Sequence, residues 1–127
     1  MSQLTDTNCV TFPAHGAIAQ YALVKLLNTG KVDVNGLADR PIGVAMKEAY
    51  AADEPIPVKL FNGSGTLKCI AIEALAIAAT VYTEANGKVQ DTAAATSNPI
   101  GIAKEAATAD GDIIEVIPLH YGGPAAS

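Results

Sequence analysis

The chain has 127 residues, half of them apolar but only 5% aromatic, with no Trp. That length suits one domain, or two small lobes sharing a core, and the core must be built from Ala, Val, Ile and Leu, which bury little area each at roughly 25 cal/mol per Å². The net charge is −5 and the eight Lys and Arg are scattered singly, which excludes the cationic surface that nucleic-acid binding requires.

In chain order, the first 15 residues carry no Lys or Arg, are rich in Thr and Asn, and end near Phe12-Pro13. They predict an extended N-terminal arm over residues 1–15, and with no basic region or apolar run they show no signal peptide. Residues 21–27 (YALVKLL) have strand composition. Asn28-Thr29-Gly30-Lys31 then supplies residues that tolerate positive φ, so a tight reversal follows. After a polar loop, Pro41 suits the first residue of a strand, and Ile42-Gly43-Val44-Ala45-Met46 alternates large and small side chains with period two. Its bare side, Gly43 and Ala45, invites close approach by another backbone or layer. Residues 56–61 (IPVKLF) form a further strand, with Pro57 pointing to an edge or a bulge.

The same order of elements then returns. Gly30-Lys31-Val32 recurs as Gly87-Lys88-Val89, an offset of 57, and Pro41-Ile42-Gly43 recurs as Pro99-Ile100-Gly101, an offset of 58. Lys47-Glu48-Ala49 recurs as Lys104-Glu105-Ala106, and Asp53 and Ile56 match Asp110 and Ile113. Residues 80–84 (TVYTE) repeat the strand before the turn and residues 112–119 (DIIEVIPL) the strand at the end, with Pro118 again suggesting an edge or a bulge. Residues 70–79 (IAIEALAIAA) have helical propensity, but they align with a segment that follows His15-Gly16, so residues 67–73 are read as strand and 74–78 as a turn. The pattern is an internal duplication, and two copies are too few for a solenoid. The expected fold is mainly β: a compact barrel- or sandwich-like domain over residues 16–121, with halves at about 17–61 and 67–119. Residues 122–127 (GGPAAS) read as a flexible tail. The structural hallmarks of the repeat are Gly30, Pro41, Gly43, Gly87, Pro99 and Gly101.

Signals for chemistry are weak. His15 and His120 are the only histidines, and no G-x-S-x-G elbow accompanies them. Cys9 and Cys69 do not form a disulfide framework and read as reduced thiols. Asp110-Gly111-Asp112 lacks the further ligands of a calcium loop, and Gly63-Ser64-Gly65-Thr66-Leu67-Lys68 lacks the Gly-Lys-Ser/Thr ending of a phosphate loop. No catalytic residue, metal or cofactor is expected. The most apolar stretch, residues 69–81, contains Glu73 and is too short for a membrane-spanning helix.

Over residues 11–121 the doubled motifs, Gly30-Lys31-Val32 with Pro41-Ile42-Gly43-Val44-Ala45 and Asn86-Gly87-Lys88-Val89 with Pro99-Ile100-Gly101-Ile102-Ala103, together with Ile56-Pro57-Val58 and the closing strand, resemble those of phage capsid cement or head decoration proteins. The recombination-protein label that some members carry finds no support here, because a nucleotide-binding loop and a basic surface are both missing. The resemblance implies a non-enzymatic virion protein, made in the host cytoplasm and placed on the outer capsid surface. It would act as a homotrimer at threefold positions, bridging and stiffening major capsid protein subunits without touching nucleic acid or membrane. In that setting the arm pairs with a neighbour's sheet edge, with Thr7, Val10, Phe12 and Pro13 as capsid contacts, and the Ala/Gly-rich strand faces meet between subunits. The rival expectations are a head-fibre base or tail-tube component, or a small ligand-binding or hydrolytic barrel with a polar pocket converging on His15 or His120.

Overall fold

The computed structural model describes residues 9–61, 65–92 and 96–119. The chain is mainly β, as expected, and forms two five-stranded antiparallel sheets. The first holds β1 (Cys9–Pro13), β2 (Leu23–Leu26), β3 (Val32–Val34), β4 (Gly43–Ala45) and β5 (Pro55–Leu60) in the order β1-β5-β4-β2-β3. The second holds β6 (Leu67–Ile70), β7 (Thr80–Thr83), β8 (Val89–Gln90), β9 (Pro99–Ala103) and β10 (Ile113–Pro118) in the order β6-β10-β9-β7-β8. No helix forms over residues 70–79, where Ala78 sits at φ 72.

The second order is the first with five added to each strand number. Registers correspond as well: Leu23↔Val44 and Val44↔Lys59 have counterparts in Thr80↔Ile102 and Ile102↔Ile117. Parallel bridges Ala14↔Val32 and Ala71↔Val89 join the end of each first strand to the start of each third. Each sheet therefore curls into a small barrel-like unit around its own apolar cluster. The lysines after the two Asn/Gly turns reach the two acidic turns, Lys31 to Asp53 at 2.6 Å and Lys88 to Asp110 at 2.9 Å. These pairs are largely exposed, so each adds at most about 1 kcal/mol.

Residues 9–13, expected in a free arm, are instead the edge strand β1 of the chain's own sheet. All five pair with β5, and Phe12, opposite Ile56, packs on the first core. The proline expectation also needs correction. β5 lies between β1 and β4, and β10 between β6 and β9, so neither strand is an edge. Pro57 is tolerated because Met46 N–H donates to its carbonyl while the Met46 carbonyl accepts from Gln20 Nε2 at 3.1 Å, so the missing proline N–H leaves no orphan. Pro118 ends β10.

The Ala/Gly-rich faces are buried within the single chain and cannot meet between subunits as expected. A Cβ on Gly43 would lie 2.2 Å from the Lys59 carbonyl oxygen, and one on Gly101 would lie 2.1 Å from that of Ile117. The bare positions let the backbone of the adjacent strand come close.

The halves are joined through the back of the first sheet. Val24 faces the first cluster, while its neighbour Leu23 and the cross-strand Val44 point the other way, into the second cluster beside residues such as Leu67 and Val89. Both are fully buried, so each contributes on the order of 1.5–3 kcal/mol.

Gly43→Ala is expected to lower stability by at least about 2 kcal/mol in urea unfolding, because a backbone must move. Gly16→Ala, where a Cβ meets nothing within 4 Å, should stay within about 0.5 kcal/mol of wild type. Equal effects would contradict the close-approach account.

Candidate assembly surface

Three hydrogen bonds clasp the loop after β3 to the second half: Gly87 N–H to Asn35 O at 2.8 Å, Thr83 Oγ1 to Leu37 O at 2.7 Å, and Asn98 Nδ2 to Asp39 O at 2.9 Å. Thr83, Asn35 and Asn98 are buried, so these bonds lie in a dry seam where losing a partner is costly. The loop is shaped by Asp39, whose carboxylate accepts from Lys25 Nζ at 2.8 Å and from Gly36 N–H at 2.9 Å. The Lys25 bond, followed by the Gly36 bond, holds the Asp39 carboxyl below its ordinary pKa.

Between the halves lies a cleft of about 370 Å³ lined by Tyr21, Met46, Lys59, Thr66, Lys68 and Glu115. Its charges are committed to structure. Lys59 Nζ donates to Thr66 O at 2.6 Å, and Lys68 Nζ sits 5.8 Å from the Tyr21 ring centre. Glu115 accepts from Thr66 Oγ1 and from Lys104 Nζ, and these contacts lower its pKa, the Thr66 bond most. His15 is not among the lining residues, and His120 lies outside the described residues.

Cys69 is fully buried on β6, and burial pushes its thiol pKa up to about 12, so it is protonated at neutral pH and a poor nucleophile. Among the described residues no group of three or more His, Cys, Asp or Glu has metal-site geometry.

The expected contact residues are divided by the fold. Thr7 lies outside the described residues. Val10 and Phe12 are half-buried on the inward side of β1, opposite Val58 and Ile56, and Pro13 is exposed opposite Pro55. The hallmark positions fall at turns and strand starts: Gly30 and Gly87 at φ 87 and 72, Pro41 just before β4, and Pro99 opening β9. Sequence reasoning passed over the exposed apolar side chains Tyr50, Ile77, Ile113 and Ile117. The outward alternation Ile113-Glu115-Ile117 in β10 was the signal for two of them.

A small acidic protein of two linked β units, with an open edge strand, exposed isoleucines and charges committed to its own seams, has the attributes of an assembly module. Residues 3–118 match the family model for the phage cement protein, and the chain belongs to that family. No curated protein matches it. Membership makes it a structural, capsid-associated component of a phage virion.

Asp39 and Glu115 have folded pKa values below their unfolded ones, near 3.9 and 4.3. Their stabilisation is therefore complete above those unfolded values and is lost as the pH falls through the folded ones. The urea midpoint should drop below about pH 4, and Asp39→Asn should lower it at pH 7 while making the acid decline shallower. A decline as steep as that of wild type would contradict the role of Asp39. In native protein a thiol reagent should leave Cys69 unmodified until the chain unfolds; rapid labelling of Cys69 would contradict its sealed position.

Proposed function

We propose that the protein cements a phage head from the outside by bridging neighbouring major capsid protein subunits, as a homotrimer at threefold positions, and that it catalyses no reaction. The observation that carries this reading is the open edge of β1. In the strand order β1 is terminal, with β5 on one side; its far side meets β3 only past its end, at the Ala14↔Val32 bridge, so Val10–Pro13 pair with no second strand among the described residues. Such an edge accepts an added strand from a partner through backbone hydrogen bonds.

In this reading Val10 and Phe12 anchor the edge strand from within, and Thr7 and Pro13 flank it as contacts with the capsid protein. The segment before Cys9 extends the contact across a capsomer boundary. The net charge of −5 suits an outer surface and repels packaged DNA. Three tethered copies of a modest contact multiply its strength through effective concentration, which supports a trimer over a monomer.

Deletion must spare β1, so the informative truncation removes residues 2–8 and keeps Cys9–Pro13. The truncated protein should fold, by circular dichroism, yet occupy heads lacking the wild-type protein at least tenfold less well. Wild-type occupancy would overturn the role of the segment before Cys9, and failure of the intact protein to bind heads would overturn the capsid reading itself.

A further inference from the structure

The joint between the halves leaves an unused copy of itself on each side of the molecule. In the joint the first half contributes Tyr21, Leu23 and Val44, and the second contributes Lys68 on β6 and the Gly87 turn. The register counterparts of the first set are Ala78, Thr80 and Ile102 on the second half, and those of the second set are Thr11 and Gly30 on the first half. Buried Leu23 and Val44 thus correspond to half-buried Thr80 and Ile102, and beside these Ile117 is 41% exposed. On the other side, a Cβ at Gly87 would meet Ala22 Cβ at 2.9 Å and Leu23 O at 3.0 Å, whereas a Cβ at Gly30 meets nothing within 4 Å. One receptor turn is filled and its counterpart is open.

We infer that a second copy of this chain fills it: the back of the second sheet, around Thr80, Ile102 and Ile117, docks on β1 and the Gly30 turn of the next copy, repeating the joint between chains. This deepens, and rests on, the reading of the protein as self-associating. The side chains on the two surfaces change together. Tyr21 over Lys68 corresponds to Ala78 against Thr11, a large pair replaced by a small one, and the Ala78 backbone keeps the left-handed turn of Tyr21, φ 72 against 70. The apolar Ile102–Ile117 pair, adjacent across β9 and β10, supplies the area that Leu23 and Val44 bury within the chain. The contact is heterologous, front to back; under the threefold arrangement proposed above, a third of a turn per copy closes it into a ring in which first and second halves alternate.

The test uses the full-length protein without heads. Wild type should sediment as an oligomer. Ile102→Asp with Ile117→Asp, which places charge on the docking face, and separately Thr11→Arg on the receiving face, should each weaken association at least tenfold and leave monomers. Thr80→Arg serves as a second docking-face variant should the double one fail to fold. Mixing the docking-face variant with the receiving-face variant should give a heterodimer and no larger species, since each retains one intact face. Variants that assemble like wild type would overturn this surface while leaving self-association standing, as would a mixture that stays monomeric. A monomeric wild type would overturn self-association as well, leaving attachment to heads as a separate question for the head-binding assay.

Discussion

The structure depends on the back of one short strand pair. Leu23 and Val44 sit side by side on β2 and β4, outside the first barrel-like unit, and they complete the core of the second. With no aromatic residue among its buried members, a cluster made mostly of Val, Ile and Ala closes poorly alone, and these two side chains supply what the second unit lacks. The polar clasp from the loop after β3 encircles the same contact with hydrogen bonds from buried partners. The burial drives the joining, and the clasp sets its orientation, because only one alignment satisfies Thr83, Asn98 and the Gly87 N–H together.

This arrangement suits a mechanical role. Lys25, Lys31, Lys88 and Lys104 pair with carboxylates at seams and turns, the thiol of Cys69 is sealed, and in the cleft between the halves Lys59, Thr66 and Glu115 are already hydrogen-bonded. What the molecule presents outward is an edge strand and scattered isoleucines. For a member of the phage cement proteins, such surfaces let many modest contacts act together over a shell.

Much of this was legible in the sequence, for identifiable reasons. The period-two alternation at Ile42–Met46 and Ile100–Ala103 marked strands, and the Asn/Gly turns marked reversals, because both signals are local. The parallel run of offsets foreshadowed the matching strand orders, and the recurring Lys31/Asp53 and Lys88/Asp110 positions held the two ion pairs without announcing them. The sequence hid β3 and β8, which have three and two residues and show almost no period. β1 was hidden because the Thr- and Asn-rich stretch that leads into it resembles an arm, although Val10 and Phe12 alternate inward as a strand requires. Pro57 misled because its lost donor is compensated by Gln20, a partner distant in sequence. The asymmetry of the two halves was written in a single pair of dipeptides. Leu23-Val24 is apolar on both faces of its strand and therefore covered on both, whereas Thr80-Val81 is apolar on one.

The central claim is that the Leu23–Val44 contact makes the two units one cooperative body, and native-state hydrogen exchange tests it most directly. The amides of Val24 in the first core and Val81 in the second should open with the same free energy and the same denaturant dependence in wild type. They should separate into two distinct openings once Leu23 is replaced by Ala. Two unequal opening energies for Val24 and Val81 in the wild-type protein would show that each unit stands alone, and would contradict the account.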